Sequence, residues 1–162
     1  MLRSKFHPVL VLSSAALLMF AYIGFMRWRH PGGDLSNNFM YVLPIIVPFV
    51  AFVFDRAEQF SGARSFELIL DSAVVVTAIM RAIGDVPFVS GHALFLSYAI
   101  ARPGRRLTKI TAAAVMIQVL YLKFYVWHDL ITPITGTALG LLAALIVRRQ
   151  TTSSLVAQPN TQ

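Results

Sequence analysis

The sequence predicts an all-α membrane protein, a polytopic bundle of about six transmembrane helices. Of its 162 residues, 57% are hydrophobic and only 13% are charged, and the mean hydropathy is +0.68. Soluble domains carry about 25% charged residues, so this composition argues against a soluble fold. Apolar runs recur along the chain with the charges confined to short gaps, which is the pattern of successive membrane spans.

Six apolar runs are predicted to span the membrane. They cover residues 8–26, 39–54, 66–80, 88–101, 107–122 and 132–147. A helix needs about 20 residues to cross a hydrocarbon core of about 30 Å, so we expect the shorter runs to extend into their flanks. We assign residues 1–150 to one six-span domain and residues 151–162, which are polar and uncharged, to a disordered tail.

The first apolar run has the basic start and apolar core of a signal peptide. A cleavage site of the small-x-small type does not follow it. It ends instead in Arg27-Trp28-Arg29, basic and aromatic residues that anchor a helix at the membrane interface. We therefore expect this run to be retained as the first transmembrane helix.

Lysine and arginine predict the orientation of the bundle. With six spans, most of them lie on the side of the two termini, which places both termini in the cytoplasm. The formal net charge of +7 is explained in this way and by attraction to anionic lipid headgroups, so we expect no nucleic-acid partner. The chain has no cysteine, which excludes disulfides, thiolate nucleophiles and zinc-thiolate sites.

Polar residues gather on the opposite, extracytoplasmic side in this topology. They are Arg81, Asp85, Ser90, His92, Lys123, His128 and Asp129. Ionisable groups at membrane depth are costly unless they are paired or hydrated, so such a cluster predicts a functional site. A lone histidine often does no more than cap a helix at the interface, but two histidines from separate loops with charges around them favour a site.

The segment around the first histidine has the features of a helix start that binds an anion. Ser90 is a suitable N-cap, and Gly91 would let the backbone approach a ligand. The free amides in the first turn of such a helix attract anions.

The segment around the second histidine has a spacing of four residues. His128, Thr132, Gly136 and Gly140 would form a stripe along one face of a helix. The glycines would also permit close packing between helices, which alone would explain their presence.

These two segments resemble the type 2 phosphatidic acid phosphatase superfamily, which includes lipid phosphatases and vanadium haloperoxidases. The second family motif is Pro-Ser-Gly-His, usually followed by Ala, and residues 90–93 match it with Val89 in place of proline. The third motif is Ser-Arg, five residues, His, three residues and Asp, followed by glycines four and eight residues later. His128, Gly136 and Gly140 match this spacing.

The resemblance implies a phosphatase mechanism with a phosphohistidine intermediate. His128 would be the nucleophile that attacks phosphorus, and His92 would be the general acid that protonates the leaving alkoxide. A histidine pKa of about 6.5 suits both roles near neutrality. Phosphate would be bound by Ser90, Gly91, Lys123 and Arg81, and the nucleophile would be oriented by Thr132 or Asp129.

The sequence departs from the family pattern at three places. Thr132 stands where the family has its Asp, and Leu122 stands where it has its Arg, with Lys123 one residue later. The first family motif is not found before Ser90. Threonine cannot stabilise an imidazolium as a carboxylate does, and lysine offers phosphate a point charge in place of a bidentate contact. Asp129 would lie about 100° around a helix from the nucleophile, so it is not expected to replace the missing carboxylate.

Three functions therefore remain open. The first is a lipid-phosphate phosphatase that acts on a phosphomonoester or diphosphate of a polyprenyl lipid or glycerolipid. The second is a catalytically degenerate relative that binds a phosphorylated lipid or a partner without turnover. In the third, the two histidines would ligate haem or a metal, but the sequence supplies no further ligands, so we expect no cofactor and no metal.

A separate acidic pair lies near the cytoplasmic start of the third run. Glu67 and Asp71 are one helical turn apart. They would serve either as a proton or cation site in a transporter or as partners of Arg64 or the basic residues at 102–109. The second interpretation is preferred because both lie close to the interface.

Overall fold

Each apolar run of the sequence lies largely on one α-helix, although residues 39–42 form a π-helical turn and residues 88–90 precede a helix. The computed structural model describes the backbone of residues 8–33, 36, 38–59, 65–83 and 88–156. In these ranges the helices are α1 (Pro8–Arg29), α2 (Leu43–Gln59), α3 (Ser65–Ile83), α4 (Gly91–Ala101), α5 (Arg106–Tyr121) and α6 (Ile131–Val156). A π-helical turn, Asn38–Val42, precedes α2, and another, Leu122–Val126, follows α5. The described residues contain no β-strand, so the predicted all-α fold is confirmed.

Several of these helices have the length and composition of membrane spans. Within the described ranges, three helices qualify: Pro8–Arg29, Arg106–Val126 and Ile131–Gln150. Large apolar side chains also face outward on them, since Phe20 of α1 and Ile117 of α5 are each more than 70% exposed. Such surfaces indicate a helical membrane protein. The count of six spans stays a prediction, because α4 has only 11 residues and α2 and α3 carry ionisable side chains.

Helix α4 is the central element of the bundle. Ala93, Leu96 and Tyr98 are fully buried, and α3, α5 and α6 pack around them. Gly136 and Gly140 of α6 lie against α4: a Cβ at Gly136 would lie 2.5 Å from the carbonyl oxygen of Ser90, and one at Gly140 would overlap α4 atoms. The close packing expected from these glycines is confirmed.

Helix α6 has different limits from those expected. It begins at Ile131, so His128 lies before the helix, with a φ of 51°, and shares no helical stripe with Thr132. The helix then continues to Val156, so residues 151–156 are helical and the predicted start of the disordered tail was wrong. Once a helix has formed, each further residue that is ordered adds one hydrogen bond, which is less costly than starting a new helix. Residues 157–162 lie outside the described residues.

Buried ion pairs join α2, α3 and α4 at the end of α4 opposite its N-terminus. Asp71 lies 2.6 Å from Nε of Arg56 and 2.7 Å from Nε of Arg102, and it accepts a hydrogen bond from the Tyr98 hydroxyl. Arg102 also lies 3.5 Å from Glu67. The acidic pair therefore has basic partners, which favours the structural interpretation over transport.

Candidate functional site

His92, in the first turn of α4, borders two cavities of different polarity. The polar cavity, about 250 Å³, is lined by Val42, Ala78, Arg81, Ser90, Gly91, His92 and Lys123. The apolar cavity, about 260 Å³, is lined by Val42, Ile45, Ile46, Phe49, Val75, Ala78, Ile79, Gly91, His92 and Phe95. The two cavities share Val42, Ala78, Gly91 and His92, so they adjoin at these residues.

Ser90 fixes the start of α4. Its Oγ accepts a hydrogen bond from the amide of Ala93 at 3.4 Å, which confirms the predicted N-cap. Its own amide donates to the carbonyl oxygen of Thr132 at 2.9 Å, so the beginnings of α4 and α6 are joined. The N-terminus of α4, with its partial positive charge, therefore lies at the wall of the polar cavity.

Gly91 has a packing role that the sequence did not indicate. A Cβ at this position would lie 2.6 Å from the carbonyl oxygen of Ala78 in α3. The backbones of α3 and α4 touch here, so glycine is needed for helix packing even without a ligand. Because Gly91 also lines both cavities, this contact sets the distance between the two helices that enclose them.

Arg81 brings a cation to the polar cavity from the last turn of α3. Its Nε donates a hydrogen bond to the carbonyl oxygen of Val89 at 2.8 Å. This bond fixes the guanidinium against the segment that leads into α4. Arg81 and His92, which come from different helices, are thus brought together as predicted.

Lys123 supplies a second cation from the π-helical turn after α5. The preceding residue, Leu122, is buried in the bundle, whereas Lys123 lines the polar cavity. A π-helical turn holds more residues than an α-helical one and so rotates the positions that follow. Leu122 is therefore a core side chain, and the next residue carries the charge.

Asp129 contacts both Lys123 and the start of α6. Its Oδ2 lies 2.9 Å from Nζ of Lys123 and accepts the Thr132 hydroxyl at 2.5 Å, while its Oδ1 accepts the Thr132 amide at 3.2 Å. Burial raises the pKa of the Asp129 carboxyl, but the hydrogen bonds from Thr132 and Lys123 outweigh burial and lower this pKa below its ordinary value. Asp129 is therefore ionised near neutral pH.

His128 occupies the rim of the site and lines neither cavity. Its side chain is exposed, and among the described residues no hydrogen bond or ion pair orients the imidazole. Both neighbours in the chain contact Lys123: the Trp127 ring centroid lies 5.8 Å from Nζ, and Asp129 forms the ion pair. The Thr132 hydroxyl donates to Asp129, and the orienting role of Thr132 stays a prediction.

The structure thus brings together five of the predicted site residues on the polar cavity: Arg81, Ser90, Gly91, His92 and Lys123. Asp85 lies in residues 84–87, outside the described residues. Sequence reasoning missed Val42, Ala78 and the whole apolar cavity, because only tertiary packing forms them. Among the described residues, no group of three or more His, Asp or Glu side chains is placed to hold a metal ion.

No family model, curated protein or solved structure matches this chain. The resemblance to the type 2 phosphatidic acid phosphatases therefore stays a hypothesis based on the motif residues and their spacing.

Proposed function

We propose that this protein is an integral membrane lipid-phosphate phosphatase similar to the type 2 phosphatidic acid phosphatases. The adjoining cavities at His92 are the observation that supports it. A lipid phosphate joins a strongly anionic group to a hydrocarbon chain. The polar cavity has cationic walls that suit the first part, and the adjoining apolar cavity suits the second. The substrate class is a phosphomonoester or diphosphate of a polyprenyl lipid or glycerolipid.

The phosphate group would lie in the polar cavity. Arg81 donates charge-assisted hydrogen bonds to its oxygens, and Lys123 adds a point charge. The N-terminal amides of α4 complete an anion site of the kind that helix starts commonly form. The hydrocarbon chain would lie beside Phe49 and Phe95 in the apolar cavity.

The two histidines would divide the chemistry. His128 turns from the rim toward the phosphate and attacks phosphorus, and His92 gives its proton to the leaving alkoxide as the phosphorus–oxygen bond breaks. Water then hydrolyses the phosphohistidine and releases phosphate.

Phosphate release from the purified, detergent-solubilised protein tests this proposal. We expect release from a polyprenyl phosphate or phosphatidic acid, and a loss of about a hundredfold or more in His128→Ala and in His92→Ala. His30→Ala is the matched control, because His30 is an exposed histidine just after α1 and lines neither cavity. Equal activity in all three variants would refute the assignment.

The proposal includes six spans, with both termini in the cytoplasm and the polar cavity on the extracytoplasmic side. Single cysteines in this cysteine-free chain can be labelled with a membrane-impermeant reagent in intact cells. We expect Gly32→Cys to be labelled from outside and Ser153→Cys only after the membrane is permeabilised. Labelling of both positions 32 and 153 from outside would contradict an even number of spans, and labelling of position 153 alone from outside would contradict the cytoplasmic termini.

Binding of a phosphorylated lipid without turnover is the second candidate. One observation favours it: among the described residues nothing orients the His128 imidazole. In this case phosphate or vanadate protects the protein against thermal unfolding, but no lipid phosphate is hydrolysed. The two assays on one preparation therefore separate the candidates.

A further inference from the structure

The carboxylate of Asp129 is attached firmly to the backbone around it. Its two oxygens accept both the amide and the hydroxyl of Thr132. Its own amide donates to the carbonyl oxygen of Lys123 at 2.8 Å. Hydrogen bonds therefore hold both the side chain and the backbone of Asp129. They fix the position of the carboxylate beside the polar cavity.

Lys123 is paired with this fixed carboxylate and also lines the polar cavity. Its Nζ lies 2.9 Å from Asp129 Oδ2 and 5.8 Å from the centroid of the Trp127 ring, and its side chain is only 15% exposed. A lysine has a long flexible stem and loses much rotamer freedom when it is ordered. An ion pair that orders the stem beforehand removes this loss from the binding step.

We propose that Asp129 is a positioning residue that holds Lys123 in place as the phosphate-binding cation of the polar cavity. This inference rests on the proposed function. It explains how the site would bind an anion although Leu122, which the resemblance aligns with the family's phosphate-binding arginine, is buried in the core. Lys123 has three N–H donors, so the bond to Asp129 leaves capacity for a phosphate oxygen. The carboxylate also repels an anion, but a lysine without this attachment would occupy many rotamers that point away from the cavity.

An ion pair with a purely structural role would also connect the end of α5 to the start of α6. The structural role and the positioning role can be distinguished by exchanging the charges of positions 123 and 129, because the exchange restores different properties in each case. The attraction between the two charges is kept when they are exchanged, although the Thr132 contacts of Asp129 are then lost, so a structural pair is restored in part. A positioning pair is not restored, because the reversal takes the cation away from the cavity wall and puts a carboxylate there.

The first experiment is Asp129→Asn, which keeps the side-chain shape and an acceptor for the Thr132 amide. We expect the vanadate concentration for half-maximal thermal protection, and the KM for a lipid phosphate, to rise about fivefold or more, with little change in kcat. Glu58→Gln is the control, since it removes a carboxylate from the ion pair with Arg105 at the other end of the bundle. Unchanged vanadate affinity in Asp129→Asn, with the wild type protected, would overturn the inference and leave the proposed function intact.

The second experiment is the reversed pair, Lys123→Asp with Asp129→Lys. We expect its melting temperature without ligand to recover relative to Lys123→Asp alone, whereas protection by vanadate stays lost. Recovery of both properties would show that the pair is only structural. A wild-type protein that vanadate does not protect and that releases no phosphate would overturn the proposed function itself.

Discussion

The amide of Ser90 donates a hydrogen bond of 2.9 Å to the carbonyl oxygen of Thr132. This bond joins the two segments that carry the motif residues, although they are separated along the chain by the whole of α4 and α5. It forms because α6 lies unusually close to α4, with Gly136 directly against the Ser90 carbonyl. The geometry of the site therefore depends on how closely α6 packs against α4.

Replacing the two packing glycines should destabilise the protein. A Cβ at Gly136 or at Gly140 would clash with α4 backbone atoms, so Gly136→Ala and Gly140→Ala should each lower the free energy of unfolding by about 1–3 kcal/mol. Gly24→Ala in α1 is the control, because nothing lies within 4 Å of its Cβ position. Thermal unfolding in detergent measures the effect, and equal melting temperatures for the three variants would contradict the packing argument.

Loss of either cation should weaken binding of an anion. Arg81→Ala and Lys123→Ala each remove a charged donor, so the vanadate concentration for half-maximal thermal protection should rise about tenfold or more. The ligand-induced shift is the quantity to compare, because Arg81 also bonds to Val89 and its loss lowers the basal stability. Arg27→Ala, an exposed arginine at the end of α1, should leave the shift unchanged.

Filling the apolar cavity should discriminate between substrates by chain length. Ile79→Trp on α3 places a large ring at a cavity-lining position that is about half exposed and so tolerates the added volume. We expect its KM to rise for a long-chain lipid phosphate and to stay the same for a short, water-soluble phosphomonoester. Ile69→Trp, on the same helix but outside the cavity, serves as the control. An equal change for both substrates would show that the chain binds elsewhere.

Placing a carboxylate at position 132, as the motif resemblance would suggest, should not activate the protein. The Thr132 hydroxyl binds Asp129 Oδ2, so Thr132→Asp would bring a second carboxylate against the first. We expect a lower melting temperature and no gain in phosphate release, whereas Thr132→Ser, which keeps the hydroxyl, should resemble the wild type. A gain of tenfold or more in Thr132→Asp would show that this side chain can reach His128 in the working enzyme.

Neutralising the central acid of the buried ion pairs should be among the most damaging single changes. Asp71→Asn removes the carboxylate nearest to Arg56 and Arg102 and leaves them only Glu67, at 3.9 and 3.5 Å; loss of one partner of a buried pair typically costs about 3–5 kcal/mol. The more exposed pair between Arg105 and Glu58 should matter by about 1 kcal/mol or less. Thermal unfolding of Asp71→Asn beside Glu58→Gln tests this ranking, and a reversed order would refute it.

The features that the sequence predicted are those that depend on local signals. Apolar runs indicate helices, and a serine before Gly91 indicates an N-cap. The helices and the start of α4 were therefore predictable. The prediction of a helical stripe from the four-residue spacing after His128 was wrong, because it required the helix to begin before His128. Asp129, whose carboxylate accepts the Thr132 amide, marks the actual start, and this signal was present in the sequence.

Other features of the site could not be predicted from local patterns. The π-helical turn that directs Lys123 into the cavity has no recognised sequence signature, so Leu122 and Lys123 could not be distinguished beforehand. The apolar cavity requires side chains from three helices, among them Phe49, Val75 and Phe95. Its existence depends on how these helices pack, and a pattern along one helix does not contain that information.

The ion pairs around Asp71 constrain how the chain enters a membrane. Asp71 lies on α3, whereas its partners Arg56 and Arg102 lie on α2 and at the end of α4. In the proposed six-span topology, an unpaired charge on one of these helices would be costly near the hydrocarbon, so they are poor candidates for release into lipid one at a time. We expect them to stay together at the insertion machinery until α4 has been synthesised, which makes α2–α4 a single unit of membrane insertion.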